Sequence, residues 1–173
     1  MAGRLIIDHR AFPLRPTPVA PVGFKGTYRE AGWQRCAQMS AADGITFTPW
    51  PHPQMPNWSL PALEAAKCAA RQSEAVFERA HLALYEAFFT HSRNIAEPAV
   101  VREIVGAAGA DLARLDADLE SGAGREAVVK DYEAAVAEGV RSIPTVIVPE
   151  TGRALVGLVD AATYRAAVEE AAG

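Results

Sequence analysis

The sequence predicts an α/β fold in which a small core is interrupted by a helical insertion. Three patterns support this prediction. The β-rich run Leu5-Ile6-Ile7 lies near the start, apolar residues at three-and-four spacing occupy residues 59–138, and two short β-rich runs around a turn precede a last helix. A strand followed by several helices, a hairpin and a helix is typical of an α/β core that carries an insertion.

Composition limits the size of the fold and the class of partner. The chain has 173 residues, of which 50% are apolar and 22% charged, as expected for one domain with an insertion. The net charge of -4 argues against nucleic acid, because phosphate binding needs clustered Lys and Arg. The apolar runs are too short to span a membrane, and no secretory signal is recognisable. Two cysteines without disulfide-type spacing favour the reducing cytoplasm.

The first third of the sequence predicts extended segments around one helix. Arg4 to Phe12 is predicted to be a strand that ends at a proline. Thr27 to Ala42 is predicted to be a helix that Gly44 terminates. Ile45 to Thr48 is predicted to be extended, and the four prolines within residues 49–56 predict an irregular surface loop.

Several helices are predicted from residue 59 to residue 138. Capping residues or a proline in the first turn mark their starts at Ser59, Ser73, Pro98 and Asp111, and a further helix is predicted at Arg125 to Glu138. Apolar spacing predicts which side chains these helices bury. They are Leu63, Ala66, Ala70, Phe77, Ala80, His81, Leu84, Tyr85, Phe88, Val101, Ile104, Val105, Leu112, Leu115, Leu119, Val128, Tyr132 and Val136.

The end of the sequence predicts a β-hairpin and one more helix. Thr145 to Val148 and Ala154 to Val156 are expected to pair across the four-residue loop 149–152. Asp160 is expected to cap the last helix. The side chains predicted to be buried on that helix are Tyr164, Ala167, Val168 and Ala171.

Three segments of the sequence carry a family likeness. They are HRAFPL at His9 to Leu14, the helical stretch Ala65 to Phe89 with its ending LYEAFF, and Ala134 to Thr145. In the last segment an alanine-rich helix, a glycine, a valine, three residues and a proline follow in order. Together these segments resemble the DsbA-like thioredoxin-fold proteins, in particular the branch described as FrnE-like or dithiol-disulfide isomerase. The resemblance extends from Arg4 to Ala171.

The resemblance implies a domain arrangement and an activity. It implies a thioredoxin-like core at residues 1–56 and 133–173 with an all-helical domain inserted at 57–132. The family activity is thiol–disulfide oxidoreduction or isomerisation on protein substrates, without a metal or an organic cofactor. The resemblance also implies a first strand and a Cys-x-x-Cys helix ahead of Arg4 to Phe12, whereas this sequence contains no Cys-x-x-Cys. The chain as written is therefore expected to be redox-inactive.

The same resemblance predicts a gap in the sheet. In a thioredoxin sheet the first strand lies between those that correspond to Arg4–Phe12 and Thr145–Val148, and each buried unpaired backbone group costs about 1–3 kcal/mol. Three solutions are open. The natural protein starts upstream of Met1, the two strands pair directly, or a second copy fills the gap by strand exchange and forms a homodimer.

The loop Ser142-Ile143-Pro144-Thr145 is the strongest candidate for a binding site. In relatives its proline is cis, and the residue before that proline, here Ile143, hydrogen-bonds an extended peptide or protein substrate. Trp50, His52 and Trp58 are further candidates, as the lining of a groove for an apolar or peptide ligand. The alternatives are a purely structural turn and a solvated loop. The histidines and cysteines show no metal-ligand spacing.

Neither cysteine has the setting of a redox nucleophile. Cys36 and Cys68 fall in the middle of predicted helices, away from the helix N-terminus that lowers a thiol pKa, and both are expected to be structural. Two alternatives to the family activity stay open: a redox-inert peptide-binding or scaffolding module, and a relative of glutathione-dependent isomerases or kappa-class transferases, which use a serine in place of the first cysteine.

Overall fold

The structure, a computed structural model, describes residues 5–173. These residues form seven α-helices, one 3-10 turn and two antiparallel sheets of two strands each. None of the helices has the length and apolar character needed to cross a bilayer. The helices are α1 (Tyr28–Ser40), α2 (Leu60–Gln72), α3 (Glu74–Phe89), α4 (Pro98–Ala107), α5 (Leu112–Glu120), α6 (Ala123–Ala137) and α7 (Ala161–Ala172). The strands are β1 (Val22–Gly23), β2 (Gln54–Met55), β3 (Thr145–Val148) and β4 (Arg153–Val156).

The chain divides into two compact units. The terminal unit comprises Met1–Phe12 and Asp131–Gly173, and the helical unit comprises Pro13–Lys130. This division places residues 13–56 with the helices, whereas the sequence analysis grouped them with the thioredoxin-like core. The predicted boundaries 1–56, 57–132 and 133–173 describe family domains and stay a prediction.

The core of the helical unit is built mainly from small side chains. Helices α2, α3, α4 and α5 bury alanines together with Leu84, Val105 and Leu115, and Cys68 is completely buried among them. Alanine side chains allow helix backbones to approach closely. At the contact between α6 and α2 the residue is a glycine, Gly124. A Cβ atom added at Gly124 in α6 would lie 2.7 Å from the Sγ atom of Cys68 and 2.8 Å from the carbonyl oxygen of Glu64.

A second core of the same unit is aromatic. Trp33 of α1 packs against Phe24 and Trp50, with Phe88 and Phe89 from the end of α3 at ring-centroid distances of 5.2 and 5.0 Å. Each buried indole also has a hydrogen-bond acceptor, since Nε1 of Trp33 donates to the carbonyl of Thr48 and Nε1 of Trp50 to that of Gln54.

The predicted helix starts are confirmed, but the predicted cap at Ser59 is wrong, because its hydroxyl accepts a hydrogen bond from the N–H of Arg15 and not from α2. The side chains of Thr27, Ser73, Asp111 and Asp160 accept hydrogen bonds from backbone N–H groups in the first turns of α1, α3, α5 and α7. Proline stands in the first turn of α2 and α4, as predicted. Gly44 terminates the first helical segment with a φ of 74°, which explains the choice of glycine. The local signals were sufficient because caps depend on near neighbours in the sequence.

Two sets of predictions are wrong. Residues 5–12 form no strand, because a β-rich segment becomes a strand only where a partner satisfies its backbone groups; Arg4 lies outside the described residues. Five side chains that were expected to be buried are exposed, since their apolar stripes are wider than the surfaces that pack against them. They are Ala70, Tyr85, Tyr132, Val136 and Val168. The proline-rich loop also contains the short strand β2, which pairs with β1.

The predicted hairpin is confirmed in the terminal unit. Strands β3 and β4 pair with Thr145 opposite Val156 and Val148 opposite Arg153. Residues alternate between the two faces of the hairpin. The face that carries Val148 and Leu155 is buried against Ala167 of α7. The opposite face, with Ile147 and Val156, is half-buried to exposed.

We expect Gly124→Ala to destabilise the helical unit by about 1–3 kcal/mol, because the new methyl group overlaps backbone that has little freedom to move. Urea unfolding followed by circular dichroism measures the change. Gly32→Ala in α1 is the matched control, since nothing lies within 4 Å of its added Cβ atom. We expect that helix substitution to stabilise by about 0.5–1 kcal/mol. Equal effects of the two substitutions would contradict this account of the contact.

Candidate functional site

The candidate site of the terminal unit lies where the chain enters β3. The Ile143–Pro144 peptide bond is cis, and the Ile143 side chain is 44% exposed. The carbonyl oxygen of Pro144 accepts a hydrogen bond of 2.8 Å from the N–H of Gly157. The hydroxyl of Thr145 donates to the carbonyl of Ser142 at 2.7 Å, which closes the loop on itself. The loop is thus fixed by these two hydrogen bonds and presents the apolar side chains of Ile143 and Pro144 to solvent.

The register of the hairpin shows which backbone groups of β3 remain available. Antiparallel strands exchange hydrogen bonds at every second residue pair. Since Pro144 is bonded to Gly157, the bonded pairs within the hairpin are Val146 with Leu155 and Val148 with Arg153. The N–H and C=O groups of Thr145 and Ile147 therefore point away from β4. Among residues 5–173, β3 pairs with β4 alone. We call the backbone groups of Thr145 and Ile147 the free edge.

A second feature of the terminal unit is the attachment of residues 10–12 to α6. The backbone N–H of Ala11 donates a buried hydrogen bond of 2.7 Å to the carboxylate of Asp131. The guanidinium of Arg10 lies 3.5 Å from the same carboxylate, and the ring of Phe12 packs on that of Tyr132 at 5.1 Å. The segment Leu5-Ile6-Ile7 ahead of this attachment remains exposed.

The sequence analysis did not single out Asp131, although a signal was present. An aspartate at this position continues the inward-facing stripe that contains the fully buried Val128 three residues earlier. Since acidic side chains are almost never buried without a partner, an acid on an apolar stripe predicts a specific bond. Its partner, a backbone N–H far away in the sequence, is supplied only by the tertiary structure.

The three candidates in the proline loop have different surroundings. Trp50 is 2% exposed and belongs to the aromatic core, so that its ring has no surface for a ligand. His52 is exposed and packs against Trp50 at a ring distance of 5.3 Å. Trp58 is half-buried and forms a wall of a small apolar pocket of about 170 Å³. This pocket lies between α2, α4 and α5, within the helical unit.

The two cysteines lie within helices of the helical unit. Cys36 and Cys68 are both free thiols in the middle of α1 and α2, and neither is at a helix N-terminus. Burial raises the pKa of the Cys68 thiol to about 11, and the nearby Asp118 carboxylate adds to this shift. A thiol with so high a pKa supplies almost no thiolate near neutral pH.

The geometry of the terminal unit defines a class of protein. A helix, a cis-proline loop, an antiparallel hairpin and a final helix follow one another, and a helical unit interrupts the chain ahead of them, which is the arrangement of an inserted thioredoxin-type fold. The family described as the DSBA-like thioredoxin domain matches residues 4–169, and the chain belongs to this family.

Solved structures share this fold. One is described as a "putative protein disulfide isomerase from Nitrosomonas europaea"; it matches with a TM-score of 0.70 at 14% identity, over 89% of this chain and 76% of that one. Another is the cytosolic disulfide reductase DsbM from Pseudomonas aeruginosa, solved with GSH, with a TM-score of 0.63 at 19% identity, over 91% of this chain and 80% of that one. No curated protein matches the chain. At these identities the structural matches show the fold alone.

We expect Asp131→Ala to destabilise the protein by about 1–3 kcal/mol, because it leaves the buried N–H of Ala11 without its acceptor. Asp131→Asn is the matched control, since an amide oxygen still accepts that bond, and we expect it to cost less. The rate of hydrogen exchange at the Ala11 amide reports on this bond locally. It should rise strongly in Asp131→Ala and little in Asp131→Asn. Equal protection of Ala11 in both variants would contradict the role given to this carboxylate.

We expect the two thiols to differ strongly in reactivity. At pH 8 a thiol with a pKa near 11 is about one part in a thousand thiolate, and Cys68 is in addition fully buried, whereas Cys36 is half-buried. The variant Cys36→Ser retains only Cys68, and Cys68→Ser retains only Cys36. In native protein a thiol reagent should therefore label Cys36→Ser far more slowly than Cys68→Ser. The slow reaction should accelerate as the pH rises towards 11 and should become fast in denaturant. Rapid labelling of native Cys36→Ser at pH 8 would contradict the assignment.

Proposed function

We propose that this chain binds extended polypeptides along the free edge of β3. We also propose that its two thiols, Cys36 and Cys68, do not catalyse thiol–disulfide exchange. The observation that supports the binding role is the direction of the Thr145 and Ile147 backbone groups, away from β4 and next to the exposed side chain of Ile143. An extended peptide that aligns with such an edge gains main-chain hydrogen bonds as an added strand.

The energetics favour an apolar peptide over a polar one. Each added main-chain hydrogen bond contributes about 0.5–1.5 kcal/mol net, so a few of them produce only weak binding by themselves. The hairpin face with Ile147 and Val156 adjoins the edge and retains exposed apolar area. Burial of that area at about 25 cal/mol per Å² supplies the remaining affinity. The preferred ligand is therefore an extended segment with apolar side chains at alternate positions.

The redox part of the proposal rests on the two thiols that the chain contains. Exchange requires a thiolate nucleophile and a second thiol that resolves the mixed disulfide. Cys68 is fully buried with a raised pKa, and Cys36 is half-buried in the middle of α1. The disulfide chemistry named for the structural neighbours is therefore not proposed for these two cysteines. Free thiols suit the reducing cytoplasm, which we propose as the location.

Trp58 enters the proposal as a separate, smaller site. Its pocket is lined mainly by apolar side chains, and its rim carries Glu64 and Arg102, each of which has an ionic partner. A pocket of about 170 Å³ accommodates one apolar side chain. We assign no ligand role to Trp50, because it is part of the aromatic core.

We expect Ile147→Pro to abolish binding of an extended probe, reduced and alkylated insulin B chain, measured by isothermal titration calorimetry. Proline removes one N–H of the free edge and leaves the bonded pairs of the hairpin intact. Ala154→Pro is the matched control, because it removes an outward N–H from β4 on the other side of the same hairpin. Wild type and Ala154→Pro should bind the probe equally, and circular dichroism should show that both variants are folded.

Reduction of insulin tests the claim that the chain does not catalyse thiol–disulfide exchange. We expect negligible reduction of native insulin by the wild-type chain with dithiothreitol or glutathione as the reductant. Robust turnover that disappears in Cys36→Ser or Cys68→Ser would contradict the claim of inactivity. Loss of probe binding in Ala154→Pro to the same extent as in Ile147→Pro would contradict the assignment of the site to the β3 edge.

A further inference from the structure

Several large apolar side chains of the terminal unit are exposed. Three of them are Tyr132, Val136 and Val168, which the sequence predicts to be buried and the structure leaves exposed. On the open face of the hairpin, Val156 is 59% exposed. Exposed apolar side chains of this size are candidates for contact with a partner, because large apolar patches on soluble proteins mark sites of association.

The most exposed apolar stretch of this unit also has a strand-like sequence. Leu5, Ile6 and Ile7 are 61, 79 and 66% exposed, and β-branched residues favour extended backbone. Residues 5–12 nevertheless form no strand, while β3 has an edge without a strand partner among residues 5–173. The terminal unit therefore contains a strand-like segment and an open strand edge. The two do not pair with each other among residues 5–173.

We propose that the occupant of the β3 free edge is the segment Leu5–Asp8 of a second copy of this chain, exchanged reciprocally in a twofold-symmetric dimer. This inference rests on the proposed function, since it names the partner of the same edge. A twofold arrangement uses each segment and each edge once, so the assembly closes at two copies and leaves neither half unpaired. The attachment of residues 10–12 to α6 through Asp131 and Tyr132 holds the exchanged segment at a fixed position on its own copy.

Charge selects the direction of the pairing. Asp8 ends the apolar segment and accepts a hydrogen bond of 2.9 Å from Arg10, Arg141 precedes the loop at the start of β3, and Glu150 follows its end; all of these residues are exposed. Antiparallel pairing brings Asp8 towards Arg141 of the second copy. Parallel pairing instead brings it towards Glu150, which repels it. Exposed charges of this kind contribute little affinity but select orientation, so the antiparallel arrangement is favoured.

The dimer makes the binding site dependent on concentration. In the dimer both free edges are occupied, so an external peptide competes with residues 5–8 of the second copy. The apparent affinity for an external peptide falls in proportion to the fraction of edges that remain open. A substitution in the donor segment should therefore separate the chains and, at the same time, strengthen binding of an external peptide.

The donor test compares Ile6→Asp with Leu82→Asp in the full chain. Leu82 lies on α3 in the helical unit and is 67% exposed, so its substitution introduces the same charge at a similar exposure away from the proposed interface. Light scattering coupled to size exclusion should give twice the chain mass of 18.4 kDa for the wild type and Leu82→Asp, and the chain mass for Ile6→Asp. A wild-type chain that is monomeric at the highest concentration, or a dimer that Ile6→Asp leaves intact, would overturn the proposal.

The acceptor test uses a synthetic peptide with the sequence of residues 5–10, LIIDHR, and a scrambled version as its control. We expect Ile6→Asp to bind LIIDHR about tenfold more tightly than the wild type does, because its edges are open. Ile147→Pro should be monomeric and should not bind the peptide, while Ala154→Pro should behave as the wild type. Equal affinity for the scrambled peptide would overturn the assignment of the segment.

The outcomes of this test separate the two proposals. If the wild type is monomeric and binds both LIIDHR and the insulin B chain, the edge is a peptide site and the dimer is wrong. If monomeric Ile6→Asp binds neither probe, the proposed function itself is wrong. A mass of two chains that persists in both Ile6→Asp and Ile147→Pro places the contact on another surface and overturns the strand exchange.

Discussion

The backbone hydrogen bonds of β3 are the constraint on which the terminal unit depends. One edge of this strand is satisfied by β4, and the other edge presents the polar groups of Thr145 and Ile147. Backbone donors and acceptors must be paired or hydrated, so an edge strand remains a template for another strand. The loop at Ile143–Pro144 adjoins this edge and is fixed by its own hydrogen bonds. Peptide binding and strand exchange are two ways to satisfy the same unpaired groups.

The helical unit is stabilised differently and does not share this problem. Its helices satisfy their own backbone groups and pack through alanine-rich faces around Cys68 and Leu115. Gly124 permits the close approach of α6 to α2, and this packing also makes the Cys68 thiol inaccessible and raises its pKa. The open edge of β3 and the exposed segment Leu5-Ile6-Ile7 both belong to the terminal unit.

Family membership and the features of this chain lead to a consistent account. The fold provides a hairpin with a proline loop at its entry, and the two cysteines lie within helices, with Cys68 buried in the core of the helical unit. The attachment of residues 10–12 through Asp131 leaves the apolar segment ahead of them exposed. An exposed strand-like segment and an unpaired edge on the same unit support association with an extended partner.

The sequence by itself determined the features that depend on neighbours along the chain. The caps at Ser73, Asp111 and Asp160, the hairpin and the helix periods were predictable, because caps, turns and periodic stripes are local. Only the tertiary structure decided that residues 5–12 form no strand, that Trp50 lies in a core, and that Asp131 bonds to Ala11 across 120 positions. Strand formation and burial both require a partner surface, and which surfaces meet is set by packing between segments that are distant in the sequence.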